Sequence, residues 1–223
     1  MYNKKNLLKS LSVSYQKYLE YGSRSTEKLK PIHKYVADTL KKICGETFQL
    51  HYMDNNNKEM KVSGKYYDKN IDITVTKNEK PFICIGIKFV ISNYKQNSNN
   101  YFENMMGETA NIQTIRDLPY FQLIFLRYKT PYYTKGKIEK KIEIINEKDL
   151  QKYINLVYDN PNAHRPYAIG IFLIDIKKNN KIKAIKAEKV FEKEFAKLFN
   201  NKLSIDNLFN EIENFKTYFL NKK

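Results

Sequence analysis

The chain has 223 residues, 42% of them hydrophobic and 29% charged, enough to bury a substantial core within one domain. Its formal net charge of +16 draws it toward polyanions, whose counterions are released on binding. Cys44 and Cys84 stand far apart, and His33, His51 and His164 lack metal-ligand spacing. Neither a disulfide framework nor a zinc site is therefore expected. The longest apolar stretch, 167–174, is too short to span a bilayer, so the expectation is a cytoplasmic protein with no membrane partner and no small-molecule cofactor. The 25 asparagines point to codon usage that also inflates lysine, but that bias does not explain why acids are so outnumbered.

In chain order, 7–21 reads as a first helix stopped by Gly22. A second is capped at Ser25 or Thr26 and runs to Cys44 before Gly45, with Pro31 marking a possible later start. Strands are expected over 48–53, 58–67, 71–76 and 82–90, separated by 54–57 and 77–80 as polar turns. A polar segment, 92–100, leads into a helix over 100–115. Then follow a strand at 120–128, a helix at 147–158, a strand at 168–176, and helices at 184–199 and 205–221. This order predicts an α/β fold, a mixed central sheet flanked by helices on both faces. The single domain divides into N-terminal helices (1–47), a core (48–128) and a C-terminal part (129–223).

The chemistry gathers on the third and fourth strands. Asp72 alternates with Ile71, Ile73 and Val75, and thus faces away from them. In the fourth strand Ile83, Ile85, Ile87 and Phe89 occupy one face, and Phe82, Cys84, Gly86 and Val90 the other, the pattern of a strand buried on both sides. Lys88 lies inside that run and needs a carboxylate or an anionic ligand, or else a stem long enough to carry its amine to water. The following helix supplies acids. Glu103, Met106, Gly107, Ala110 and Thr114 share one face, and Gly107 and Ala110 are small enough for close approach to a sheet. Asn100 and Glu103 alternatively have the spacing of a capping box. Glu108 points about 140° away from Glu103 and is the second candidate.

These residues resemble the PD-(D/E)XK nuclease superfamily, and most closely its type II restriction endonucleases. Asp72 matches the Asp that begins the motif and Lys88 the Lys that ends it. Gly86 stands in the place of the second acid, and Ile71 where Pro is common. Some restriction enzymes of the superfamily carry that acid on the next helix, where this chain has Glu103, and the segment 88–111 is similar to a stretch of predicted restriction endonucleases. The resemblance implies an Mg²⁺-dependent endonuclease acting on double-stranded DNA. Catalysis would fall to Asp72, Lys88 and Glu103 or Glu108. The metal would be held by Asp72, Glu103 and the carbonyl of Ile87. A homodimer is expected, since symmetric cleavage of a palindrome needs two related sites. The alternatives are a non-specific defence or repair nuclease, or a DNA-binding protein whose active site decayed at Gly86.

For DNA recognition the candidates are Asn93, Lys95, Gln96, Asn97, Asn99 and Asn100, whose amides and amine match base edges and phosphates. His164 and Arg165 form a second group, in a polar loop before a strand. The basic stretch 127–141, with Tyr128, Tyr132 and Tyr133, is a third.

Overall fold

The computed structural model describes residues 2–116, 118–134, 138–177 and 179–222. Two helices open the chain, α1 (Lys4–Tyr21) and α2 (Lys30–Cys44), each followed by a glycine at positive φ, Gly22 and Gly45. Pro31 lies in the first turn of α2, which therefore begins beyond Ser25 and Thr26. The strands β1 (Phe48–Tyr52), β2 (Met60–Ser63), β3 (Asp68–Ile71), β4 (Ile73–Lys77) and β5 (Lys80–Val90) follow.

Next come α3 (Tyr94–Arg116), β6 (Tyr120–Arg127), the ribbon β7 (Lys129–Tyr133) and β8 (Glu139–Ile144), and α4 (Glu147–Tyr158). The chain ends with β9 (Ala168–Ile176), β10 (Ile182–Ala184), α5 (Lys193–Lys202) and α6 (Ile205–Asn221).

The fold is the mixed α/β arrangement expected. A six-stranded sheet has the order β1-β4-β5-β6-β9-β10. β5 runs parallel to β6, and β6 to β9, while β1, β4 and β10 pair antiparallel to their neighbours. Helices cover both faces. Leu7 and Leu11 of α1, Val36 and Leu40 of α2, and Leu208 and Ile212 of α6 pack with Ile83, Ile85 and Ile87 of β5. On the other face Met105 of α3, Leu150 and Tyr153 of α4, and Phe195 and Phe199 of α5 pack with Val90, Ile124 and Leu126. Burial on both sides explains why β5 and β6 read as nearly unbroken apolar runs.

Five expectations change. The strand expected over 58–67 ends at Ser63, and 64–67 turn the chain into β3 because Gly64 and the Asn111 bonds close the ribbon there. The third strand is broken at Asp72, where the chain leaves the β2–β3 ribbon and enters the central sheet. α3 begins at Tyr94, so 92–100 is mostly helix and Asn100 cannot cap it. The helix expected over 184–199 is a short strand, a 3-10 turn and then α5. β7 and β8 were not anticipated, because Pro131 and the lysines hid a surface ribbon whose residues need no apolar alternation. Among the described residues no helix is long and apolar enough to cross a membrane.

Candidate active site at the β4–β5 seam

Antiparallel pairing of β4 with β5 stops at Ile73 opposite Ile85. One residue earlier, Asp72 replaces the ladder with its side chain: its Oδ2 accepts the Ile87 N–H at 2.6 Å. A strand residue's N–H and C=O point to the same edge, so the Ile87 carbonyl faces this seam as well. A charged acceptor on a backbone N–H makes a strong bond, and it fixes the Asp72 carboxylate against β5.

Lys88, next along β5, reaches the acid of α3. Its Nζ lies 3.9 Å from Glu108 Oε1, beyond a normal hydrogen bond but within ion-pair range. Lys69 of β3 approaches the same oxygen at 3.0 Å. The hydroxyl of Tyr120, at the start of β6, donates to Glu108 Oε2 at 3.1 Å. Glu108 is thus held from both oxygens between two ammonium groups and a buried phenol.

Gly86 explains how Tyr120 gets there. A β-carbon at position 86 would overlap the Tyr120 hydroxyl and come within 2.9 Å of Gln122 Oε1. Gln122 faces Gly86 in the parallel register of β5 and β6 and donates from Nε2 to the Gly86 carbonyl at 3.0 Å. Its Oε1 is fully buried and has no hydrogen-bond partner. The space beside Gly86 is filled by a phenol that binds the acid on the helix.

The electrostatics agree with this crowding. The Tyr120 hydroxyl is held well above its ordinary pKa by burial, then by the negative charges of Glu108 and Asp72, so both carboxylates act on one group. Glu59, just before β2, is raised by burial and by Asp72, with Lys69 opposing. His33 of α2 is lowered by burial, partly offset by Asp72, and neither ring nitrogen has a partner.

Of the residues expected to share a helix face, Met106 packs against the core, but the candidate acid and two others turn to solvent. Glu103 and Thr114 are exposed, and nothing lies within 4 Å of a β-carbon built on Gly107. The buried side of α3 is formed by Met105, Thr109, Asn111 and Ile112, with Glu108 at its border. The Thr109 hydroxyl bonds the Met105 carbonyl, and Asn111 bonds the β2–β3 turn, so polar residues could be buried there. Glu103 lies on the α4 side, where the Lys152 amine is lowered by burial, with Asp149 and then Glu103 opposing. The set Asp72, Glu103 and Ile87 is therefore not brought together, whereas Asp72, Lys88, Glu108 and Ile87 are.

Most side chains expected to read DNA are engaged by the fold. Asn93 sits at φ 52° and pairs with the Tyr133 backbone through both ends of its amide, at 3.0 and 2.8 Å. Gln96 accepts from Asn93, Asn97 bonds the Asn93 carbonyl, Lys95 pairs with Asp149, and Asn99 accepts from Lys152. Asn100 is exposed. His164 pairs with Asp159 and Arg165 bonds the Asp159 carbonyl. Of the basic stretch 127–141, residues 135–137 lie outside the described residues.

Tyr120, Gln122, Lys69 and Glu59 were not anticipated. The available signal was Gly86 itself, since a glycine in a bulky strand marks a close approach by a neighbour. Among the described residues no three His, Cys, Asp or Glu side chains are grouped to hold a metal ion. The oxygen donors carried by the residues of this seam are the Asp72 and Glu108 carboxylates and the Ile87 carbonyl, with the partnerless Gln122 Oε1 buried next to Gly86. This all-oxygen set has the composition hard divalent cations take. A scan of protein-family models and searches of curated proteins and of solved structures each find no match to this chain.

Proposed function

We propose that the protein is an Mg²⁺-dependent endonuclease of the PD-(D/E)XK superfamily, cutting double-stranded DNA at a short specific sequence in the manner of type II restriction enzymes. The observation that carries the reading is the meeting of Lys88 and Glu108 beside the Asp72 carboxylate, at the point where β4 releases β5. The excess of positive charge supports a polyanionic substrate.

Asp72, Glu108 and the Ile87 carbonyl would hold the metal, and the buried, partnerless Gln122 Oε1 fits a further oxygen ligand or its water. Bound there, Mg²⁺ supplies charge neutralisation on the phosphate and a more acidic water. The residues of the chain do the remainder. Lys88, too far from Glu108 to spend its protons on a hydrogen bond, orients the attacking water and meets charge growing on the phosphate oxygens. Tyr120 positions Glu108 from below, and Lys69 fixes its second oxygen. Symmetric cleavage calls for a homodimer, and the restriction role sets its work in the cytoplasm.

Incubation of unmodified phage DNA with the purified protein and Mg²⁺, followed by fragment mapping, tests the reading. Discrete fragments are expected. A smear favours a non-specific nuclease, and DNA binding without cleavage in Mg²⁺ or Mn²⁺ favours a binding protein.

A further inference from the structure

The turn between β2 and β3 carries two large aromatic side chains in water: Tyr66 is 73% exposed and Tyr67 53%. Tight turns ordinarily take Gly, Asn, Asp or Pro, and two tyrosines gain nothing there from packing. Yet the turn is held rigidly. Asn111 of α3, itself buried, accepts the Tyr66 and Tyr67 N–H groups at 2.9 and 3.3 Å and donates to the Tyr67 carbonyl at 2.9 Å. The Lys65 N–H closes the clamp on the Asn111 carbonyl at 2.7 Å. Gly64 is required beside it, because a β-carbon there would overlap the Asn111 amide.

The clamp fixes the tyrosines relative to the candidate active site. Glu108 lies one turn before Asn111 on the same helix, and Lys69 of the same ribbon pairs with Glu108. The ribbon is basic on balance: Lys61 and Lys65 are exposed against one exposed acid, Asp68, and the Lys65 amine stands 5.3 Å from the Tyr66 ring. Aromatic side chains on a fixed backbone beside ammonium groups match a duplex, which offers sugars and base edges between its phosphates.

We infer that the Tyr66–Tyr67 turn is a DNA-contacting prong that presses two rings onto the duplex beside the phosphate to be cut. The position of that phosphate rests on the nuclease reading; the contact with DNA does not. Because the turn is preorganised, little ordering entropy is lost when DNA arrives.

Binding of a fluorescent DNA duplex, followed by anisotropy in EDTA, separates the two ideas. Tyr66→Ala/Tyr67→Ala should raise Kd about tenfold or more, and Tyr66→Phe/Tyr67→Phe should stay near wild type. Tyr158→Ala/Tyr218→Ala serves as the control. Those tyrosines are 58% and 59% exposed, with Lys202 and Lys222 over their rings, but they lie on α4 and α6 without a link to Glu108. Their loss should change Kd by less than about twofold. If wild type binds in EDTA and the alanine pair binds weakly, the prong stands even where Mg²⁺ gives no cleavage. Three results overturn it: wild-type affinity in the alanine pair, no duplex binding by wild type, or a variant that alters only self-association in sedimentation.

Discussion

The β4–β5 seam and the start of α3 are both rich in polar side chains, and they differ in what those side chains face. Around Asp72, polar groups from four elements converge on one another, and a buried amide oxygen is left without a partner. At 93–99, most polar side chains are engaged locally: Asn93 as a clamp on β7, Asn97 as a bond to the preceding turn, Lys95 and Asn99 as ties to α4, with Gln96 exposed and held only through its amide oxygen. Chemical capacity follows from such unspent groups, and composition alone does not reveal them.

The sharpest way to break this contrast is at the seam. Asp72→Asn and Lys88→Met should each slow plasmid cleavage in Mg²⁺ by roughly a thousandfold or more, with unchanged circular dichroism. Rates near wild type for either variant would remove the seam from the chemistry.

Next in size is Gly86→Asp, which puts an acid at the position where the proposed superfamily carries its second one. No gain is expected, because the new β-carbon displaces Tyr120 and with it Glu108. Stability should fall by about 1–3 kcal/mol in urea unfolding, and cleavage should fail. Gly86→Ala/Tyr120→Phe should recover part of the stability lost by Gly86→Ala, since the colliding hydroxyl is gone.

At the other region, Asn93→Ala should cost about 1–2 kcal/mol in urea unfolding through the lost Tyr133 pairing and the positive φ, and leave duplex Kd within about twofold. A large loss of affinity at full stability would return 93–99 to the DNA-reading surface.

The smallest effect concerns pH. His33 is buried without partners, and its pKa is depressed in the folded state. The unfolded chain therefore takes up the proton first, so stability is present above the ordinary histidine pKa of about 6.5 and is lost as pH falls below it. Thermal unfolding between neutral and mildly acidic pH should show the decline, and His33→Leu should flatten it. An equal slope in that variant would assign the acid sensitivity elsewhere.

Much of the fold was legible because long apolar runs carry a clear period. α4, β9 and α6 fall where the pattern put them, and β5 is buried on both faces as its sequence indicates. α3 was harder to read. Its buried side includes Thr109 and Asn111, while Gly107 lies in open solvent, so small residues pointed to the wrong face. Glu103 was chosen on that face, and Glu108, held in second place, is the acid that meets Lys88. Tyr120 and Gln122 lie beyond reach of local pattern, because their role arises only when β6 aligns in parallel with β5.

Cleavage of supercoiled plasmid in Mg²⁺ by Glu108→Gln and by Glu103→Gln tests the central claim most directly. Glu108→Gln should be inactive while Glu103→Gln cuts at nearly the wild-type rate. An active Glu108→Gln, or an inactive and folded Glu103→Gln, would contradict it.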